Sequence, residues 1–284
     1  MPELPEVEVA RHNLARWAVG RTIDSAVADQ AALRVLRPAT ARSLAQLVGA
    51  RVLAVERTGK ALLWTLAPRR GSAGARLGVY AHLGMTGKWL RRAPGDPVRF
   101  ARLRLTLDDE RLLVYADPRL LGRFLVVGGA DFARLPEVAR LGPDPLRDGV
   151  DADRLGAGLL RTRRAVKVAL LDQSLLAGLG NIQANEALAR AGIDPRRPAS
   201  TLTAAEVRRL ASAILATLEA TLADFSAHGF LDDRADITYL EEGADNPFLV
   251  YGRAGERCRR CRRAEVVRVT LGGRGTFRCP RCQR

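Results

Sequence analysis

All four cysteines of the chain fall in its last 27 residues, as two Cys-x-x-Cys pairs, Cys258/Cys261 and Cys279/Cys282, with 17 residues between them. Two such pairs suit a tetrahedral thiolate site. Each short loop presents two sulfurs, and the stretch between is long enough for a β-hairpin. In a cytosolic chain they close around zinc in preference to forming two disulfides. Four thiolates leave no coordination position for a substrate, so the expected Zn2+ is structural. The end of the chain is therefore expected to be a hairpin held by metal.

Upstream, the chain separates into a β-rich part and a helical part. Residues 22–27, 32–36, 51–56, 61–66, 77–83, 102–107, 112–115 and 122–127 read as short strands, with turn signals at Arg57-Thr58-Gly59-Lys60 and Asp108-Asp109-Glu110. Residues 43–48 suggest a short helix. Pro5, then Val7, Ala10, Leu14 and Trp17 on one face, then Gly20, predict a helix over 5–18. This pattern predicts an antiparallel β-sandwich with that helix at one end. Gly128-Gly129, Pro136 and Gly142-Pro143-Asp144-Pro145 have the composition of a linker. Helices are then expected over 163–172 and 182–191, with a breaker at Ala177-Gly178-Leu179-Gly180 between them. A longer helix opens on the capping box Thr203-Ala204-Ala205-Glu206, flanked by Leu202 and Val207. It carries Val207, Leu210, Ile214, Leu218 and Leu222 on one face. Residues 230–250 are acidic and irregular. The expected fold class is α+β, with a sandwich domain over 1–130, a linker over 131–150, a helical domain over 151–248 and the zinc hairpin over 249–284.

Charge narrows the function. Lys and Arg total 46 against 31 Asp and Glu, a net of +15 with a pI near 11.0. Such an excess points to a polyanion, most simply nucleic acid. Only Lys60, Lys88 and Lys167 are lysines. In an arginine-rich chain, a surviving lysine marks a place where a compact or titrating ammonium is needed. No apolar run reaches membrane-spanning length and the N-terminus lacks a basic-then-apolar signal. A soluble intracellular protein is expected.

The N-terminus reads Met1-Pro2-Glu3-Leu4-Pro5-Glu6-Val7-Glu8. Removal of Met1 would leave a free secondary amine on Pro2. An α-amino group titrates at about 7.7–8.0, so part of it is uncharged near neutrality. A neutral amine can attack an electrophilic carbon, and the resulting proline iminium is an electron sink. Glu3 and Glu6 lie close enough to move protons. The alternative is a plain helix start, which explains Pro5, Glu6 and Glu8 but leaves Pro2-Glu3 unexplained. From these eight residues alone, both readings stand.

Taken together, the chain resembles the formamidopyrimidine-DNA glycosylase/endonuclease VIII family of base-excision repair enzymes over nearly its whole length. The resemblance rests on the N-terminal octet, His82-Leu83-Gly84-Met85-Thr86-Gly87, Asp117-Pro118-Arg119, and the run from Leu171-Asp172-Gln173 through Gly178-Leu179-Gly180-Asn181-Ile182-Gln183-Ala184-Asn185-Glu186. It also rests on Val250-Tyr251-Gly252-Arg253 before the cysteines. Leu4 and Val7 resemble the formamidopyrimidine branch. The resemblance implies a helix–two turns–helix segment and a bifunctional DNA glycosylase/AP lyase acting through a Schiff base at Pro2, followed by β,δ-elimination. Glu3 would transfer protons, Glu6 would support it, and Lys60 would bind phosphate and stabilise charge. Lys167, Asn181 and Arg274 would hold DNA phosphates. Met85, Arg119 and Leu121 would fill the gap left by an everted base, with Arg119 against the orphaned partner base.

Two departures bear on lesion choice. Asp117-Pro118-Arg119-Leu120-Leu121-Gly122 has Leu121 where the family pattern has an aromatic, so an aliphatic wedge or a buried core leucine is expected there. Ser226-Ala227-His228-Gly229-Phe230-Leu231-Asp232-Asp233 stands where oxidised-purine enzymes carry a Gly-Gly-Ser/Thr-Thr loop. Gln183 replaces an aromatic of the Asn-Ile-Tyr run. The resemblance thus implies a monomeric, nucleoid-associated cytoplasmic enzyme on damaged or abasic double-stranded DNA, lying in a basic cleft between its domains. The rival readings are a lyase for oxidised pyrimidines or abasic sites, and a non-catalytic damaged-DNA-binding protein. No role is assigned to His12, His82 or His228.

Overall fold

A computed structural model of the chain describes residues 2–34, 41–69, 75–231 and 246–284. The chain forms two compact units. The first runs to Ala139 and includes the segment that begins at Phe225; the second takes Arg140–Asp224 and the C-terminal region.

Among the described residues, the first unit opens with helix α1 (Leu4–Ala18) and contains eight strands: β1 (Ile23–Ala28), β2 (Arg51–Thr58), β3 (Ala61–Ala67), β4 (Leu77–His82), β5 (Lys88–Arg92), β6 (Ala101–Leu107), β7 (Leu112–Ala116) and β8 (Arg123–Gly128). They make two antiparallel four-stranded sheets, in orders β1-β6-β7-β5 and β2-β3-β4-β8. The core lies between the sheets. Leu103, Leu105, Leu113 and Tyr115 of one face Leu62, Trp64, Val79 and Phe124 of the other, and Val7, Leu14 and Trp17 of α1 join them. Alternation in β6 is complete, every second residue buried, because its far face is more open. In β3 the first four residues are all buried, because the sheet is covered on both sides.

The outer cover of that second sheet corrects one expectation. The stretch read as linker from 131 onward begins as a 3-10 turn (Phe132–Arg134) and a short helix, α3 (Pro136–Ala139). Phe132, Leu135 and Val138 pack against Ala61, Leu63 and Tyr80. Burial of these three apolar residues outweighs the local Gly and Pro signals. The expected strand over 32–36 is also corrected. Gln30–Arg34 is a 3-10 turn, closed by Asp29, whose carboxylate accepts from Ala32 N at 2.6 Å; residues 35 and 36 lie outside the described residues. The short helix expected over 43–48 is α2 (Ala41–Ala45). Strand β5 was not visible as a pattern, since Lys88-Trp89-Leu90-Arg91-Arg92 does not alternate. Pairing with β7 makes it a strand.

The second unit contains α4 (Pro145–Asp148), α5 (Ala152–Leu160), α6 (Val166–Leu170), α7 (Asn181–Ala191) and most of α8 (Ala204–Ala227), then the hairpin of β9 (Val267–Leu271) and β10 (Arg274–Arg278). Helix α5 was missed. Asp151 caps it by accepting from Asp153 N and Arg154 N, both at 2.9 Å. The helix expected over 163–172 shrinks to α6. Val207, Leu210, Ile214 and Leu218 of α8 are buried, and Phe225 continues the face where Leu222 was expected. By length and composition α8 could cross a membrane, which the search for apolar runs did not anticipate. The long acidic stretch expected over 230–250 lies largely outside the described residues.

The predicted capping box starts α8. Thr203 N donates to Glu206 Oε2 at 2.8 Å, and Glu206 N donates to Thr203 Oγ1 at 3.3 Å. Glu206 also accepts from Arg197 at 2.6 and 3.1 Å. The arginine is the main reason the Glu206 carboxyl is pushed down to about 2. A depressed carboxyl stabilises the fold above its unfolded pKa of about 4.3 and loses that contribution as pH falls. Urea-unfolding curves should therefore show Arg197→Gln less stable than wild type by about 0.5–1 kcal/mol above pH ~5. The gap should close as the pH is lowered toward the folded value.

Candidate functional site

Helix α1 begins with two buried carboxyls. Glu3, 1% exposed, is its N-cap residue, and Glu6, 5% exposed, is the third helical residue. The Glu3 side chain accepts from Glu6 N, while Glu3 N donates to Glu6 Oε2 at 2.9 Å. This reciprocal box satisfies backbone donors that a helix start leaves open. Pro2, which precedes Glu3, is half-buried. Burial, and next the Glu3 carboxylate, push the Glu6 carboxyl well above the ordinary range. Its Oε1 is buried without a hydrogen-bond partner. The pairing thus favours the protonated form of Glu6 at the start of α1.

Lys60 sits in the β2–β3 turn after Gly59, whose φ is +57°. Arg57, 8% exposed, fixes that turn. Its Nη1 donates to Gly59 O at 2.9 Å and its Nε donates to Glu8 Oε2 at 2.7 Å. Glu8 is on α1 and also accepts from Arg11 at 2.7 Å. One arginine therefore ties the lysine turn to the helix that carries Glu3 and Glu6. His82, at the end of β4, is lowered to about 4 by burial first, then by Lys60 and Arg123. The imidazole is neutral near neutrality, and its Nδ1 accepts from Gly84 N at 3.0 Å.

Met85, Arg119 and Leu121 are all exposed, on two loops of the same unit. Leu121, at 48% exposure, is not a core residue. The core position is taken by Leu120, which packs on the sandwich core at φ +55°. Asp117, fully buried, organises both loops. Its Oδ1 accepts from Arg119 N at 3.1 Å and Thr86 Oγ1 at 2.7 Å. Its Oδ2 accepts from Leu121 N at 2.9 Å and Gly122 N at 2.8 Å.

The remaining candidates gather in the second unit. Lys167 on α6 is fully buried and is not a solvated helix lysine. Asn181 is the first residue of α7 behind the N-cap Gly180. It is not a cap; its Nδ2 donates to Gly275 O in β10 at 3.1 Å, and its Oδ1 is buried without a partner. Arg274 is exposed at the hairpin turn formed by Gly272 and Gly273, at φ +55° and +72°. A Cβ on Gly272 would lie 3.2 Å from Val168, next to Lys167. The start of α7, α6 and the hairpin turn are thus packed together.

Helix α7 also seats the tail. Asn185 accepts from Phe277 N at 2.7 Å, and the Glu186 carboxylate accepts from Leu249, Val250 and Tyr251 N at 2.7–2.9 Å. The four cysteines meet below. All four Sγ atoms lie within 4.8 Å of one another, with Cys258–Cys282 at 3.9 Å and Cys261–Cys279 at 3.7 Å. Tetrahedral bonds of about 2.3 Å put sulfurs about 3.8 Å apart, whereas a disulfide needs about 2.05 Å. The cluster is shaped for a metal ion.

An antiparallel β-sandwich unit whose first helix opens on interlocked buried carboxyls, and a helical unit that ends in a four-cysteine hairpin, define a two-unit α+β class. The comparisons specify it. Residues 1–124 match the formamidopyrimidine-DNA glycosylase N-terminal domain and 141–229 its H2TH domain. The chain is 40% identical to a formamidopyrimidine-DNA glycosylase of Laribacter hongkongensis, with all of both chains covered. It is 39% identical to one of Thermus thermophilus, covering all of this chain and 98% of the relative. Among solved structures, Lactococcus lactis Fpg with abasic-site DNA matches with a TM-score of 0.84 at 27% identity, and MutM with carbocyclic 8-oxo-G DNA with 0.84 at 29%. Both cover the chains fully. The chain belongs to the formamidopyrimidine-DNA glycosylase family.

Sequence reasoning missed Arg57, Thr86, Asn185 and Glu186 as parts of the site. Each stood inside a motif or turn already singled out, but their partners are distant in sequence and no local signal names them. Glu186→Ala would leave three backbone N–H groups without their acceptor. Urea unfolding should show a loss of about 3 kcal/mol.

Proposed function

We propose that the chain is a bifunctional DNA glycosylase/AP lyase of base-excision repair, acting on damaged double-stranded DNA in the cytoplasm. The observation that carries this is the pair of buried, interlocked Glu3 and Glu6 carboxyls directly after Pro2, which becomes the N-terminal amine once Met1 is removed. The Pro2 nitrogen attacks the sugar carbon bearing the damaged base. The glycosidic C–N bond breaks and its electron pair leaves with the base, which takes a proton. The attacking nitrogen gives up its N–H proton, the sugar C1′–O4′ bond breaks with O4′ taking a proton, and the nitrogen lone pair forms an iminium that acidifies the neighbouring C–H. Glu3 takes that proton, and the 3′ C–O bond breaks in β-elimination; a second elimination breaks the 5′ C–O bond. Hydrolysis then frees the amine. Glu6, buried against Glu3, supports proton transfer at that pair. Lys60 holds a phosphate near the lesion, and Lys167, Asn181 and Arg274 form a second phosphate-binding cluster. Met85, Arg119 and Leu121 enter the space the base leaves.

Related structures hold abasic-site, N7-benzyl-Fapy-dG and 8-oxo-G DNA, which supports formamidopyrimidines and oxidised purines as substrates. Two features favour a shifted lesion range. Exposed Leu121 offers no aromatic face, and the segment after α8 is held to α1 by Asn13 donating to Phe230 O at 3.0 Å; residues 232 and 233 lie outside the described residues. Borohydride should trap a covalent complex between the enzyme and abasic DNA, seen as a shifted band on a denaturing gel. Pro2→Gly should reduce that band to background; equal trapping would remove Pro2 from the mechanism.

Zinc is the metal we assign to the cysteine cluster, because four thiolates at tetrahedral spacing suit it and give no open position. Elemental analysis should find about one zinc per chain. Cys261→Ser or strong chelation should lower the zinc content and DNA affinity together, since the metal folds the hairpin that carries Arg274.

A further inference from the structure

Three exposed side chains, Met85, Arg119 and Leu121, come from two loops far apart in sequence. Nothing in either loop's own hydrogen bonding would keep them in register. The two loops are joined at one buried carboxylate. Asp117 supplies the acceptors for its own loop through the backbone N–H groups of Arg119, Leu121 and Gly122. The other loop reaches it by a side chain, Thr86 Oγ1, at 2.7 Å. Thr86 follows Met85 directly.

The loops also touch without room for a side chain. A Cβ on Gly84, at φ +65°, would lie 2.5 Å from the Leu121 carbonyl carbon. Behind them, Gly87 and Gly122 both press on the Tyr115 hydroxyl, where a Cβ would come within 2.1 and 1.8 Å. Leu120 anchors the second loop in the core. The first loop is anchored at its start by Leu83, buried in the same core, and closed by Gly87 N donating to Leu83 O at 2.9 Å, which leaves Met85 and Thr86 at its tip. Met85 is 39% exposed, and Thr86 holds its neighbour by the short hydroxyl–carboxylate bond.

We infer that Thr86 is a positioning residue that locks the Met85 loop to the Arg119–Leu121 loop through Asp117, so that the three side chains enter the duplex as one rigid wedge. The inference rests on the wedge role proposed above. A bond to a buried carboxylate is stronger than a neutral one, so its loss frees Met85 to move separately from its partners. The cost should fall on the step that evicts a paired base and spare the amine chemistry.

The test compares wild type with Thr86→Val, which keeps the shape and removes the hydroxyl. Base release from an 8-oxo-G duplex should slow by about tenfold, the loss expected for one charge-assisted hydrogen bond. Borohydride trapping on a duplex with a preformed abasic site should stay within about twofold. 2-Aminopurine opposite the lesion should brighten on wild-type binding, as its neighbour is displaced, and brighten less with the variant. Thr86→Ser should restore both readings. Gly84→Ala, which forces the loops apart by a separate route, should give the same split. Wild-type base release by Thr86→Val, or an equal fall in both reactions, would overturn the inference. A wild-type enzyme that brightens 2-aminopurine but traps no abasic DNA would instead defeat the lyase reading and leave the wedge standing.

Discussion

Loops that present side chains to a partner leave their backbone N–H groups outside any helix or sheet ladder, and each one that is buried needs an acceptor. This chain meets that constraint with buried carboxylates. Asp117 serves three N–H groups of the 117–122 loop, Glu186 serves three at 249–251, and Glu3 and Glu6 serve each other at the start of α1. Asp117 follows β7 directly, Glu3 and Glu6 lie at the first turn of α1, and Glu186 lies within α7 and reaches across to the 249–251 stretch. The loops are held in one conformation without being absorbed into the sheets.

Placing acids inside a chain of net charge +15 has a second effect. A carboxylate has four acceptor positions, so it can order several donors at once. Its burial is costly unless those donors are present. The arrangement is therefore all-or-none: the loop is ordered around the acid, or the acid is exposed. Glu6 shows the other outcome. It has one backbone donor, a second carboxylate beside it and a partnerless oxygen, so its carboxyl is pushed well above the ordinary range. That is an asset at a site that has to pass protons, and it lies at the start of α1, after the residue we assign as nucleophile.

The legibility of the chain divides along the same line. The clean alternation of Arg102 to Leu107 and the Thr203–Glu206 capping box were readable because their causes are local: a two-residue period and a three-residue reach. Strand β5 and the cover formed by Phe132, Leu135 and Val138 were not, because the sheet they pair with or pack on decides their state. Among the candidate site residues, Pro2, Glu3 and the four cysteines stood out by residue type and spacing, and Lys60 by the family resemblance. Arg57 could not, since its acceptor Glu8 is 49 residues away, and nothing local to Asn181 points to its bond to Gly275, 94 residues on.

What the sequence determined by itself is the chemistry on offer: an amine at the start, acids beside it, sparse lysines and a thiolate quartet at the end, because residue type and short spacing set reactivity. The tertiary structure decided which of these are aimed and held. Leu121 could have been a core residue; the left-handed turn at Leu120 put its neighbour inside instead and left Leu121 outward. Orientation of that kind comes from which buried donors find which acceptors, a long-range choice that no local pattern records.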